Sequence, residues 1–220
     1  MTVSSEGEAG SRRYESEIRR HRSAETRRRI LDRARELVVE KGYAGTTVAE
    51  VARRAGVHVD TVYALVGRKP VILHELVESA ISGTDHAVDP LERDYVQAMR
   101  AEPDAGRKLD LYAGAMSRIH ERLAPLFLAL RDASRTDPEA GRIWSAISER
   151  RALNMRRLAD DLLSTGQIRP DLTLDQVADL VWVTNSPDVH QLLIHDRGWT
   201  PKQYQAWLAD SWRRLLLTHP

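Results

Sequence analysis

His58, Val59, Asp60 and Thr61 follow one another at the start of a short segment whose side chains suit the edges of DNA bases. A carboxylate such as Asp60 accepts a hydrogen bond from cytosine N4, and Val59 or the Thr61 methyl group fits against a thymine methyl. His58 is the fourth candidate for base contact. Catalytic chemistry has no comparable cluster. Eight His and 32 Asp and Glu supply acid and base groups, yet the chain holds no H-E-x-x-H, no G-x-S-x-G, no P-loop and no cysteine nucleophile. His74 with Glu78, or His190 with His195, lack a complete metal-ligand set. An all-helical enzyme is therefore a poor reading, and neither a metal nor another cofactor is expected.

Base contact requires an element that carries these four residues outward, and the stretch from Thr46 to Pro70 supplies it. Thr47 and Glu50 have the spacing of a capping box, so a helix should start at Val48. Val48, Val51, Ala52 and Ala55 fall on one face of a 3.6-residue period and point into a small core. Gly56 follows where a helix exits through a left-handed conformation, so a second helix should run over about His58 to Val66. Its inner edge is Val62, Leu65 and Val66, leaving His58, Val59, Asp60, Thr61 and Tyr63 outside. Two short helices joined by a tight glycine turn make a helix-turn-helix pattern.

At these residues the chain resembles the TetR family of bacterial transcription regulators. The resemblance rests on Gly42-Tyr43, Thr46-Thr47-Val48, Ala55-Gly56-Val57, Thr61-Val62-Tyr63 and Gly67 with Lys69, in order and spacing. It is strong over about Thr26 to Ile81 and only architectural beyond. The chain departs from the pattern at His58, where many members have Ser, and at Ala64, Leu65 and Val66, where aromatic residues are common. The resemblance implies that Thr47, Tyr63 and Lys69 position phosphates. It further implies a homodimer on a near-palindromic double-stranded operator, and a repressor released by a small-molecule effector. A constitutive DNA-binding protein without an effector is the alternative.

Composition agrees with an all-α protein: aromatics are 5%, with one Phe, while helix-forming Ala, Leu and Arg abound. The net charge is only +1, but residues 1–75 hold 15 Lys and Arg against 11 Asp and Glu, whereas the remainder holds 18 against 21. The positive side is the one carrying the base-contact candidates. The absence of cysteine, of a signal-like leader and of long apolar runs points to a cytoplasmic protein with no membrane segment.

Residues 1–22 are almost without apolar side chains and read as a mobile tail. Its Arg12, Arg13, Arg19, Arg20 and Arg22 serve either as an arm along DNA or as solvated charge among the glutamates. Residues 23–72 read as the helix-turn-helix domain, whose first helix runs from about Ala24 to Lys41 and whose Tyr43 packs in the core. Residues 73–220 read as a helical ligand-binding and dimerisation domain. Helix 4 starts near Pro70 and links the two. Leu91 to Ala101 reads as a short helix, and another from Asp104 should break or kink at Pro125. Asp137-Pro138 starts a further helix to about Ser164. Leu174 to Asn185, Val189 to His195 and Pro201 to Leu217 complete the set.

Converging faces of the middle helices nominate Tyr95, Met99, Tyr112, Met116, His120, Trp144, Arg151 and Asn154 as ligand contacts. Arg151 and Asn154 are singled out because they interrupt an apolar stripe; a structural helix-end contact is the competing role. Four of the five Trp fall in the last 40 residues, and Trp is enriched in interface centres. With the family's last two helices pairing across the dimer, Val181, Trp182, Tyr204, Trp207, Leu208, Trp212 and Leu215 are the dimer candidates. Filling of the monomer core is their alternative role.

Overall fold

The computed structural model describes residues 5–84 and 89–219, with side chains from Glu17 onward except Pro90. The described residues fold as helices α1 (Ser5–Gly45), α2 (Val48–Ala55), α3 (Val59–Leu65), α4 (Lys69–Ser82), α5 (Asp94–Ala101), α6 (Ala105–Ser134), α7 (Pro138–Leu163), α8 (Leu174–Thr184), α9 (Pro187–His190) and α10 (Pro201–Leu216). A 3-10 turn covers Pro90–Glu92, and a π-type turn, Gln191–Asp196, follows α9. No helix among the described residues is long and apolar enough to cross a membrane. The chain divides into two compact units, Met1–Glu75 and Leu76–Pro220, and the division falls inside α4.

In the first unit, α1 is helical from Ser5, where the sequence predicts a tail; residues 1–4 lie outside the described residues. Scarcity of apolar groups prevents burial but not helix formation, because Ala, Glu and Arg lose little rotamer freedom in a helix. Arg19, Arg20 and Arg22 remain on its exposed surface. The helix is interrupted at Gly42, where φ is 69° and ψ is 178°, a backbone state costly for any residue with a Cβ. Ile30, Ala34, Leu37 and Val38 of α1 bury against Val51, Ala52 and Ala55 of α2 and Val62 of α3. Arg29 Nε donates to the Ala55 carbonyl at 3.0 Å, placing a cation at the α2 C-terminus.

In the second unit, α6 is the central element, packed by α5, α7, α9 and α10. Pro125 lies inside it without ending it. An interior proline costs about 3 kcal/mol in a lone helix, but Leu123, Ala124, Leu126, Phe127 and Leu130 are buried on both sides of it and keep the helix unbroken. The expected helix Leu91 to Ala101 is split, its first turn being the 3-10 turn and the helix proper starting at Asp94. Asp137 caps α7 through the Glu139 and Ala140 amides, and Pro138 sits in its first turn.

Candidate functional site

The turn between α2 and α3 sets the first candidate site. Thr47 Oγ1 accepts the Glu50 amide at 3.2 Å, and Gly56, at φ 66°, donates to the Ala52 and Arg53 carbonyls. The capping box is only half made. The Glu50 carboxylate turns to Lys41 Nζ at 2.6 Å instead of to the Thr47 amide, and that ammonium holds the carboxyl below its usual range. A charged partner outcompetes a neutral amide for a carboxylate.

On α3, Val62 is fully buried, which fixes the rotation of the helix and turns Tyr63, His58 and Asp60 to the surface. His58 is the N-cap residue, without a capping bond from its side chain, and Tyr63 is 49% exposed. Val59 and Thr61 are half-buried, and Thr47 is exposed. Lys69, the first residue of α4, carries its Nζ 3.9 Å from the centre of the Tyr43 ring. Tyr43 is therefore a half-buried platform for a cation rather than a core residue. All seven predicted residues lie within the first unit, on α3 or at the ends of α2 and α4.

The second unit holds two adjoining cavities. The outer one, about 420 Å³, is walled by α5, α6 and α7. The inner one, about 100 Å³, is walled by α6, α7 and the Asn185–Pro187 segment, with Ile81 of α4. Arg93, Tyr95, Tyr112, Asn154 and Met155 line both, so the inner cavity continues the outer. Of the eight predicted ligand residues, Met99 lines the outer cavity, and Met116, His120 and Arg151 the inner. Tyr95, Tyr112 and Asn154 are common to both. Trp144 lines neither: it packs on Phe127 with ring centres 4.7 Å apart. Trp144 lies nearly two turns before Arg151 on α7, so sharing a helix face did not place it at the same depth.

The polar groups of the inner wall form two hydrogen-bonded sets. The Tyr112 hydroxyl accepts from Asn185 Nδ2 at 2.8 Å and points its proton at the Met155 sulfur, 3.6 Å away. His120 Nδ1 lies 2.9 Å from the Tyr204 hydroxyl. Arg151 Nη2 donates to the Trp182 and Asn185 carbonyls, and its guanidinium lies over the Trp182 ring at 4.6 Å. Arg151 thus closes the C-terminal end of α8 as well as lining the cavity. Burial lowers its pKa, raises those of Tyr112 and Tyr204, and pushes His120 down to about 3 and His190 to about 4.

Those two histidines make the second unit acid-sensitive. Unfolded, each binds its proton near pH 6.5; folded, each resists it until the pH is far lower. The unfolded state therefore holds more protons below pH 6.5, and stability falls as the pH falls from there toward 4. With two groups the slope approaches about 2.7 kcal/mol per pH unit. Urea unfolding at pH 7, 6 and 5 should show this slope, and His120→Gln with His190→Gln should flatten it; an equally steep slope in the double variant would assign it elsewhere.

Asn185, Arg93 and Met155 are cavity residues that the sequence reading missed. Asn185 follows the last turn of α8, where a polar residue reads as an ordinary helix end. Conversely, four dimer candidates are interior residues of a single chain: Val181 is 1% exposed and Tyr204, Leu208 and Trp212 are fully buried. Tyr204, Leu208 and Trp212 lie on α10, which packs against α6, and Val181 lies on α8, which packs against α7. Trp182, Trp207 and Leu215 remain at or near the surface, joined by exposed Val183 beside Trp182 on α8.

Residues 30–65 match the sequence model of the bacterial regulatory proteins, tetR family. The helix-turn-helix unit is of the TetR family. No curated protein matches the chain. Among solved structures, one named as a TetR-family transcriptional regulator from Mesorhizobium loti MAFF303099 is 19% identical, with 90% of this chain and 99% of that one covered and a TM-score of 0.66. The regulator FadR from Bacillus subtilis, in complex with stearoyl-CoA, is 20% identical over 84% of this chain and 96% of its own, with a TM-score of 0.67. A transcriptional regulator from Saccharomonospora viridis in complex with choline is 18% identical over 89% and 99%, with a TM-score of 0.67. The TetR-family unit is thus followed by a second unit whose helical fold these proteins share.

Proposed function

We propose that the chain is a homodimeric, sequence-specific DNA-binding transcription regulator, acting as a repressor that a small-molecule effector releases. The observation that carries this reading is the outward edge of α3. Burial of Val62 turns His58, Asp60 and Tyr63 outward, within a unit that matches the TetR family. In a two-fold dimer the two copies of α3 enter successive major grooves, about 34 to 36 Å apart, on a near-palindromic operator. Tyr63, Lys69 and Thr47 hold phosphates, and His58, Val59, Asp60 and Thr61 read bases. The dimer face is the outward side of α8 and α10, with Trp182, Val183, Trp207 and Leu215, since exposed apolar groups on adjoining helices favour a self-complementary contact.

An effector reading is supported by the cavity and by the choline and stearoyl-CoA found in two proteins of this fold. Within the second unit, Ile81 lines the inner cavity and Glu78 pairs with Arg150 on its wall, and both Ile81 and Glu78 belong to α4. A ligand that shifts this wall moves the helix whose first residue is Lys69. It acts as an inducer if it binds the non-DNA arrangement more tightly. Enzymatic use of the cavity is disfavoured, because a histidine pushed to about pKa 3, as His120 is, makes a poor base near neutral pH.

Selection of bound duplexes from a random pool tests the reading. A two-fold symmetric consensus is expected. The Tyr63→Ala and Lys69→Ala double variant should lose all sequences alike, because phosphate contacts carry no sequence information. Selective loss of one sequence class would remove these two residues from the phosphate role. A folded, dimeric protein that enriches nothing would defeat the DNA-binding reading itself.

A further inference from the structure

The inner cavity has polar requirements of its own, and they restrict what can occupy it. Asn185 is 3% exposed and lines the cavity, yet its Oδ1 has no hydrogen-bond donor. Its amide nitrogen already has a partner. Nδ2 donates to the Tyr112 hydroxyl, whose own proton is directed to Met155, so Oδ1 is the atom left over. A buried acceptor without a donor is costly, and a ligand donor relieves that cost.

Arg151 presents complementary donors. Both of its hydrogen bonds come from Nη2, and one goes to the backbone carbonyl of Asn185 itself. A guanidinium has five N–H groups, two of them on Nη2, so Nε and Nη1 remain for an acceptor. No carboxylate lines the inner cavity, whereas Arg93, Arg150 and Arg151 do. An ammonium placed there would be repelled by the Arg151 guanidinium, whose hydrogen bonds go to backbone carbonyls and not to a carboxylate. The apolar part of the wall mixes aliphatic residues with the rings of Tyr95, Tyr112 and Phe127 and the thioethers of Met116 and Met155. Flat rings suit such a wall, through edge and face contacts and through sulfur at the ring edge. The volume of about 100 Å³ is of the order needed for one aromatic ring.

We propose that this cavity takes a hydroxyaromatic ligand. Its phenolic O–H donates to Asn185 Oδ1 while the same oxygen accepts from the Arg151 guanidinium, and its apolar remainder extends past Tyr95 and Tyr112 into the outer cavity. One oxygen serves both groups because Arg151 is anchored on the backbone of Asn185. The ligand class rests on the effector reading of the cavity above, and the test separates the two.

Isothermal titration of the full chain with 4-propylphenol, propylbenzene, 4-propylbenzoate and 4-propylbenzylamine reads the head-group preference at constant body. The phenol should bind about tenfold or more tighter than propylbenzene, and the amine more weakly than either. Asn185→Leu should erase the advantage of the phenol and leave propylbenzene unchanged. If that variant does not fold, the ranking on the wild-type chain decides by itself. Equal binding of phenol and hydrocarbon, or tightest binding by the benzoate or the amine, would overturn the hydroxyl assignment. A chain that binds its selected operator but none of the four probes also overturns it, and leaves the DNA-binding reading in place. The expected ranking without any change in operator affinity would uphold the ligand class and defeat the effector reading instead.

Discussion

Trp212→Ala is expected to lower the stability of the second unit by about 3 to 5 kcal/mol, a large fraction of the total for a domain of this size. The indole is fully buried, stacks on Tyr112 with ring centres 5.3 Å apart, and donates from Nε1 to Thr184 Oγ1 at 2.6 Å. Area dominates. A buried Trp removes about 150 to 250 Å² from water, or about 4 to 6 kcal/mol as an upper estimate. The lost hydrogen bond matters less, because the Thr184 hydroxyl still donates to the Leu180 carbonyl at 2.6 Å. Trp212→Phe, which keeps a ring but not the N–H, should recover more than half of the loss. Urea unfolding at several protein concentrations is the measurement. A core residue gives a loss independent of concentration. A Trp at the dimer interface gives a loss that grows on dilution, and that result would return Trp212 to the role its position in the sequence suggests. Because Tyr112 stands between this indole and the cavity, the alanine variant should also weaken ligand binding.

Lys108 carries the second large effect. It is 3% exposed, and its Nζ donates to the Met99 carbonyl at 2.7 Å and to Asp161 Oδ2 at 2.8 Å, joining α5, α6 and α7. Removing one partner of a buried pair costs about 3 to 5 kcal/mol. The Asp161 side chain is 32% exposed, however, and water can solvate it when the ammonium is gone. About 2 to 3 kcal/mol is therefore the expected loss for Lys108→Met. Lys108→Met combined with Asp161→Leu should regain most of it, since neither charge is then left alone. Chemical denaturation of the two single variants and the double variant closes the cycle. Additive losses would mean that the pair is not coupled. Met99 and Asp161 both line the outer cavity, so the pair also holds α5 at the distance from α7 that keeps the cavity open.

Local signals held at several helix ends, although not at the start of α1 or of α5. Gly56 ends α2 in a left-handed conformation, and Asp104 and Asp137 cap the helices they precede. These features depend on a few neighbouring residues, which the sequence states outright. No break occurs at Pro125 for the opposite reason: its intrinsic penalty is local, but burial of α6 on both sides of it is not.

By itself the sequence determined the all-α character, the helix-turn-helix and the outward edge of α3, because the 3.6-residue period ties each of these to residues only a few positions apart. Seven of the eight nominated ligand residues line the two adjoining cavities, and their ligand role is part of the proposal. Only the tertiary structure decided which apolar face of α8 and α10 is interior. Val181, Tyr204, Leu208 and Trp212 turn toward the rest of their own chain, whereas Trp182 and Leu215 turn outward, so that each side carries a Trp and a Leu. It alone brought Asn185 beside Tyr112, a partner 73 residues away. An amphipathic pattern specifies that a face is buried, not what buries it, and pairings between distant elements are set by the packing of the whole chain.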